Sequence, residues 1–379
     1  MKKPLSLYIH IPYCVRKCAY CDFLSFSCGE REGEIAGYVG RLIREITENA
    51  CKYADREVIS IFIGGGTPSV IKAEYIAEIL NCIREKYKVS DEAEISMEAN
   101  PGTLDREKLM IYRKAGVNRL SIGCQSVHDD ELKCLGRIHS FEDFLRSYET
   151  ARECGFENIN VDLMAGLPGS DEKKLKKSLR TVAEMRPEHI SVYDLIIEEG
   201  TPFYARYGGK GAAQLPDEDT DRKMYHMTAS VLKENGLERY EISNYAKPGY
   251  ECRHNLVYWN RGDYLGLGLN ADSCVDNIRW KNTSDMSKYM KGGEIREERE
   301  ELTVRERKFE TMMLGLRLAR GVNIQEYRNR YGADLYEEYG EHIAKMKEYG
   351  LLTDGAGFLR LTEAGLDVAD AVIEGFAVD

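Results

Sequence analysis

The chain has 379 residues, 43% hydrophobic and 31% charged, proportions that exclude a disordered or fibrous protein and leave room for two or three domains. The net charge of -11 disfavours a broad nucleic-acid surface, which needs clustered Lys and Arg. Eleven cysteines, an odd number with three crowded near the start, do not read as a secreted disulfide framework; with no signal-like or membrane-length apolar stretch, the expected setting is the reducing cytoplasm.

Apolar, β-branched runs ending in Gly, Pro or polar turns predict six strands at Leu5–Ile11, Val58–Ile63, Glu94–Glu98, Arg119–Gly123, Asn158–Met164 and His189–Leu195. Helical patterns at Tyr38–Tyr53, Glu74–Tyr87, Asp105–Ala115, Phe141–Cys154 and Asp171–Met185 lie between them. Strand and helix in alternation predict an α/β fold with a parallel sheet, and six units suit a partial (β/α)6 barrel over residues 1–200. Residues 201–290 carry a Gly-rich stretch, a polar helix to about Gly236, and Tyr-, Asn- and Gly-rich loops without a simple period. Residues 291–379 read as helices Thr303–Arg320 and Leu335–Tyr349 followed by a hairpin from Gly350, a winged-helix-like α+β unit. Its Glu-rich surface favours packing or partner docking over nucleic-acid binding.

The strongest chemical signal is Cys14-Val-Arg-Lys-Cys18-Ala-Tyr-Cys21, directly after the first predicted strand. Three thiolates so close can wrap one metal centre, and thiolates select zinc or iron-sulfur clusters. Zinc in a structural site wants a fourth ligand, for which His10 and Cys28 are candidates. A four-iron cluster held by three cysteines instead leaves one iron open to a small molecule. Four further segments place polar groups or bare backbone just past a strand, where a barrel builds its site: Gly64-Gly65-Gly66-Thr67-Pro68, Glu98-Ala-Asn100, Gln125-Ser, and Asp162 within Asp-Leu-Met-Ala-Gly-Leu-Pro. Helix capping is the other reading of Asp162.

The Cys-x3-Cys-x2-Cys spacing at the end of a first strand resembles the radical S-adenosylmethionine (SAM) superfamily. The resemblance implies a [4Fe-4S] cluster on Cys14, Cys18 and Cys21, with SAM bound at its open iron. It places Tyr20 near the adenine and Tyr8 near the sulfonium. Gly65, Gly66 and Thr67 match the segment that holds the methionyl amino group, and Glu98, Gln125, Arg137 and Asp162 match groups meeting SAM. Asp162→Ala and Gly65→Val are therefore expected to weaken SAM binding without unfolding the chain. Cys51, Cys82, Cys124, Cys134, Cys154 and Cys274 are expected to be dispensable core residues.

Within that superfamily the chain resembles the anaerobic coproporphyrinogen III oxidase family, from Tyr8 to about Trp280, and its HemW-type haem-chaperone branch in particular. The oxidase branch has a further cysteine where Phe23 stands, and a long segment before the cysteines where this chain has 13 residues. His254-Asn255-Leu256-Val257-Tyr258-Trp259 matches the chaperone branch's His-Asn-x-x-Tyr-Trp. Imidazole is a common haem ligand, so His254 is the expected ligand, with Tyr258, Trp259 and Tyr250 as an aromatic wall. Read alone, a histidine in a Tyr-rich loop is more often a hydrogen-bonded structural residue. Cys252 lacks the spacing of covalent haem attachment. The resemblance implies a cytoplasmic haem chaperone that passes haem to acceptor haemoproteins and uses an electron donor. It implies peripheral contact with respiratory enzymes in place of membrane insertion. Porphyrinogen decarboxylation is the alternative activity, and no catalytic residue is assigned.

Overall fold

All six predicted strands form, parallel and in chain order: β1 (Lys3–Ile11), β2 (Arg56–Gly65), β3 (Val89–Ala99), β4 (Arg119–Gln125), β5 (Ile159–Ala165) and β6 (His189–Asp194). The computed structural model describes residues 2–29 and 32–377. Side chains alternate between the two faces of each strand. One set, including Ile61, Ile95, Ile122, Val161 and Ile190, is buried and apolar. It packs under α1 (Glu32–Ala50), α2 (Ala73–Lys86), α3 (Arg106–Lys114), α4 (Phe141–Glu153) and α5 (Glu172–Glu184). The other set is largely polar: Ser60, Glu94, Ser96, Arg119, Ser121, Asn160, His189 and Ser191 are all buried. Because the strand order never reverses, right-handed crossovers put every helix on one side and leave the polar set inside. This is the expected partial barrel.

The chain from 201 to 301 extends the sheet at both edges, its last strand lying past the expected boundary at 290. After α6 (Glu218–Glu234), strands β7 (Glu238–Arg239) and β8 (Asn244–Ala246) pair antiparallel beside β6. The chain then forms α7 (Arg253–Trp259) and returns as β9 (Tyr264–Leu267), parallel to β1 with Ser6 opposite Tyr264. Strands β10 (Asp272–Val275), β11 (Ile278–Asn282) and β12 (Arg296–Glu301) continue antiparallel. The sheet of twelve strands runs β12-β11-β10-β9-β1-β2-β3-β4-β5-β6-β8-β7.

The C-terminal unit has its own core around Leu316, Tyr327, Ile343 and Phe376. It comprises α8 (Val304–Gly315), β13 (Val322–Asn323), α9 (Ile324–Tyr331), α10 (Leu335–Glu348), β14 (Leu352–Gly355) and β15 (Phe358–Leu361), the helix and strand order of a winged helix. Helix α8 starts at a Thr303/Glu306 capping box and ends at Gly315, short of the expected Arg320; a Cβ at Gly315 would stand 2.7 Å from Val322 Cγ2, so that close approach requires glycine. Ala356 and Gly357, both at positive φ (51° and 84°), make the tight hairpin turn. The unit docks through an Arg261–Glu310 ion pair of 2.8 Å and the Ala319 N–H donating to Tyr240 O at 2.9 Å. Among the described residues no helix is long and apolar enough to cross a membrane.

Glu45 of α1 is only 3% exposed. It accepts from the Gly268 N–H, Asn282 Nδ2 and the Tyr289 hydroxyl, tying α1 to the β9–β11 edge. Burial lifts its carboxyl from 4.5 to about 7. The folded chain thus holds this proton more tightly than the unfolded one, and the stability Glu45 contributes falls as pH rises from about 4.5 to 7. Glu45→Gln should gain about 3 kcal/mol relative to wild type between pH 4 and pH 8 in urea unfolding, the equivalent of that shift. A difference that does not change with pH would contradict the assignment.

Candidate active and haem-binding cavity

The barrel interior is a cavity of about 710 Å³, and the predicted cluster, SAM and haem residues line it except Trp259 and Tyr250. The cysteine loop covers the C-terminal strand ends. It leaves β1 and returns alongside itself, with the Phe26 N–H donating to Pro12 O and the Cys28 N–H to Cys14 O, both at 2.8 Å. The glycine segment after β2 is joined to it: the Gly66 N–H donates to Ile11 O at 2.9 Å and the Thr67 N–H to Tyr13 O at 2.7 Å. A Cβ on Gly66 would lie 2.6 Å from Tyr13 O, so that close approach requires glycine.

Side chains complete a ring around the thiols. Thr67 Oγ1 donates to Cys14 Sγ at 3.5 Å, and Arg137 Nη1 donates to Cys18 Sγ at 3.4 Å. Asn100 connects the two, donating to Thr67 Oγ1 at 2.7 Å and accepting from Arg137 Nη2 at 2.5 Å. Burial pushes the Cys14 thiol up and the Cys21 thiol to about 11; these thiols lose their protons when they ligate a metal. Among the described residues no three His, Cys, Asp or Glu side chains are gathered closely enough to hold a single ion. The zinc candidates His10 and Cys28 do not line the cavity with the three cysteines. Three soft thiolates on one loop, spread too widely for one ion and backed by N–H and O–H donors to sulfur, fit an iron-sulfur cube.

Gly65 corrects one expectation. Its φ is +112°, and a Cβ would lie 2.5–2.9 Å from the His10 ring. Gly65→Val would therefore disturb the barrel wall itself and does not isolate ligand binding. Cys51 is exposed, so it is no core residue, although none of the six cysteines expected to be dispensable lines the cavity.

Glu98 accepts from the Gly65 N–H at 3.1 Å. Burial, then the nearby charge of Asp162, raise its carboxyl to about 7. Burial also raises Asp162, which accepts from Asn160 Nδ2 at 2.7 Å and from the Ser121 hydroxyl at 3.1 Å. Asp162 caps no helix: Asp171 caps α5, accepting from the Lys174 N–H at 2.8 Å. Gln125 has φ +67°, a conformation retained where surroundings impose it. At the mouth, Phe23 is 64% exposed.

The inner end is closed by α7, a helix where the sequence suggested a loop. Its first turn is satisfied by Glu94 of β3, whose carboxylate accepts from the Arg253 N–H at 3.0 Å, the His254 N–H at 3.1 Å and Cys252 Sγ at 3.5 Å. His254 is 1% exposed. Its Nδ1 pairs with Ser60 Oγ and its Nε2 with the Tyr258 hydroxyl, both at 2.9 Å, and its ring stacks on Phe62 at 5.3 Å. Burial, then Arg119, lower its pKa to about 3: the imidazole is neutral, and both nitrogens are engaged. Trp259 points elsewhere, into a crevice with Thr311, Val322 and Tyr327 of the C-terminal unit, and Tyr250 is on the surface. The expected three-ring wall is not assembled; Tyr258 and Phe62 flank the imidazole.

Sequence reasoning missed Glu94, Arg119 and a hydrogen-bonded chain from Asp162 through Asn160 and His189 (2.6 Å) to the Tyr240 hydroxyl (2.8 Å) and the Cys252 N–H (3.3 Å). The signal was present: polar residues recur at every second position of Glu94-Ile-Ser-Met-Glu98, Arg119-Leu-Ser121 and Asn160-Val-Asp162.

Residues 8–182 match the Radical SAM superfamily, and residues 302–368 match the HemN C-terminal domain. The chain is 37% identical to the heme chaperone HemW of Bacillus subtilis over 98% of both chains, and 36% identical to that of Escherichia coli over 99% of both. The solved structure of coproporphyrinogen III oxidase (HemN) from Escherichia coli superimposes with a TM-score of 0.86, covering all of this chain and 91% of that one at 22% identity, a likeness of fold.

Proposed function

Because the chain belongs to the heme chaperone HemW family of the radical SAM superfamily, we propose that it binds haem and passes it to acceptor haemoproteins. The observation that carries this reading is the neutral, aromatic-flanked His254 at the inner end of the cavity covered by the three-cysteine loop. Cys14, Cys18 and Cys21 would hold the [4Fe-4S] cluster, and Tyr8, Tyr20, Gly65, Gly66, Thr67, Glu98, Gln125, Arg137 and Asp162 would hold SAM. Cluster and SAM together supply one-electron chemistry fed by an electron donor. Arg137 and Thr67 direct their N–H and O–H groups at the sulfurs, Glu98 orients the Gly65 amide, and the cysteine loop limits water entry. His254 reaches a haem iron through Nε2 only by releasing the Tyr258 hydroxyl, one helical turn away. Phe23, standing where the oxidase branch has cysteine, favours the chaperone over porphyrinogen decarboxylation. The setting is cytoplasmic, with peripheral contact with respiratory enzymes and no nucleic-acid partner.

Haem added to the purified chain should give a Soret band that shifts or weakens in His254→Ala, and the loaded protein should convert an apo-haemoprotein to its holo form. Reduced, cluster-loaded protein given coproporphyrinogen III and SAM should yield no decarboxylated product. Haem binding indifferent to His254 together with robust decarboxylation would overturn the proposal.

A further inference from the structure

Arg119 is 2% exposed and lines the cavity. Among the described residues its one side-chain hydrogen bond is a 3.5 Å contact from Nη1 to Ser96 Oγ, and its Nε is buried without an acceptor. Among the described residues no carboxylate lies within the 4.0 Å of an ion pair. The acidic neighbours are already used: Glu94 receives α7, and Asp162 receives Asn160 and Ser121. A buried guanidinium left this open is costly to a fold unless an incoming anion completes it. Its planar fork matches a carboxylate in two parallel hydrogen bonds.

Position narrows the choice of anion. Arg119 is the first residue of β4, opposite Ser96 and six residues before Gln125, roughly 20 Å of strand below the mouth. A carboxylate held beside the cysteine loop has its own guanidinium there in Arg137, whose Nη1 is 3.4 Å from Cys18 Sγ. Arg119 instead shares the inner chamber with Phe62, His254 and Tyr258. Resting on the haem-binding reading above, the geometry points to Arg119 as the anchor for one propionate of the macrocycle, setting which edge of the ring enters first.

The test compares ferric haem with its dimethyl ester, which keeps ring and iron but has no carboxylate charge, in spectroscopic titrations of the full chain. Wild type should bind the diacid at least tenfold more tightly than the diester. Arg119→Gln should lose that preference by weakening diacid binding alone, Arg119→Lys should keep part of it, and melting temperatures should confirm that both variants are folded. A diacid preference that survives Arg119→Gln, or equal loss of diacid and diester, would overturn the anchor. Equal binding of diacid and diester by wild type also refutes it while leaving the chaperone reading intact. Failure of wild type to bind either compound removes the reading on which it rests.

Discussion

Replacing any one of Cys14, Cys18 or Cys21 with alanine should reduce the iron and sulfide of anaerobically reconstituted protein from about four of each per chain to near zero. The loop explains so large an effect from a single atom. A cube with one open iron has only three protein ligands, and losing one leaves two soft donors on a loop otherwise held by backbone hydrogen bonds. Arg137→Ala, which removes the donor to Cys18 Sγ and the contacts to Asn100 and Gly123, should lower retention more mildly, since it spares all three thiolates. Cys124→Ala and Cys154→Ala should load fully. Unchanged iron in a Cys14, Cys18 or Cys21 variant, measured by iron and sulfide assay beside the characteristic visible absorption, would remove the cluster from this loop.

Glu94→Ala should cost on the order of 2–6 kcal/mol of stability, about 1–3 for each backbone N–H left without an acceptor, read as a lowered urea midpoint at constant slope. Glu94 is 4% exposed, and its removal strips the acceptor from two backbone N–H groups and a thiol at once. Such donors pay for desolvation without a partner. The same change frees the start of α7, so His254 should lose its fixed distance to Ser60 and Phe62 and give a broadened, weaker haem spectrum. Glu94→Gln, which keeps one carbonyl acceptor, should recover part of both effects. A midpoint within experimental error of wild type would show that α7 is held by something other than this carboxylate.

The six strands were legible because each carries apolar, often β-branched residues at least at every second position and stops at glycine or a polar turn, and the helices because their faces are buried at helical spacing. Strands β7 to β9 were not, being two to four residues long; what makes them strands is pairing with β6 and β1, a relation no local pattern records. The same limit applied to α7. His254 was found through its hexapeptide, yet its surroundings come from Ser60 and Glu94, 194 and 160 residues away, and without them the segment resembles a loop. Arg119 was overlooked because a charged residue at a strand end ordinarily reads as a solvated edge; in a barrel with a polar lumen that position faces inward.

Helix α7 is gripped at both ends by partners made at different times. Glu94 and Ser60 precede it in the chain, but Asn260, directly after it, is held by Arg320 at 2.6 Å through its side chain and by Arg330 at 3.2 Å through its carbonyl. Those residues follow by 60 and 70 positions, and at about 5–20 residues per second of synthesis they arrive some seconds later. A growing chain therefore has the partners for only one side of its haem-facing helix at first, and the second fastening waits on the C-terminal unit, whose core is complete only once Phe376 has been added.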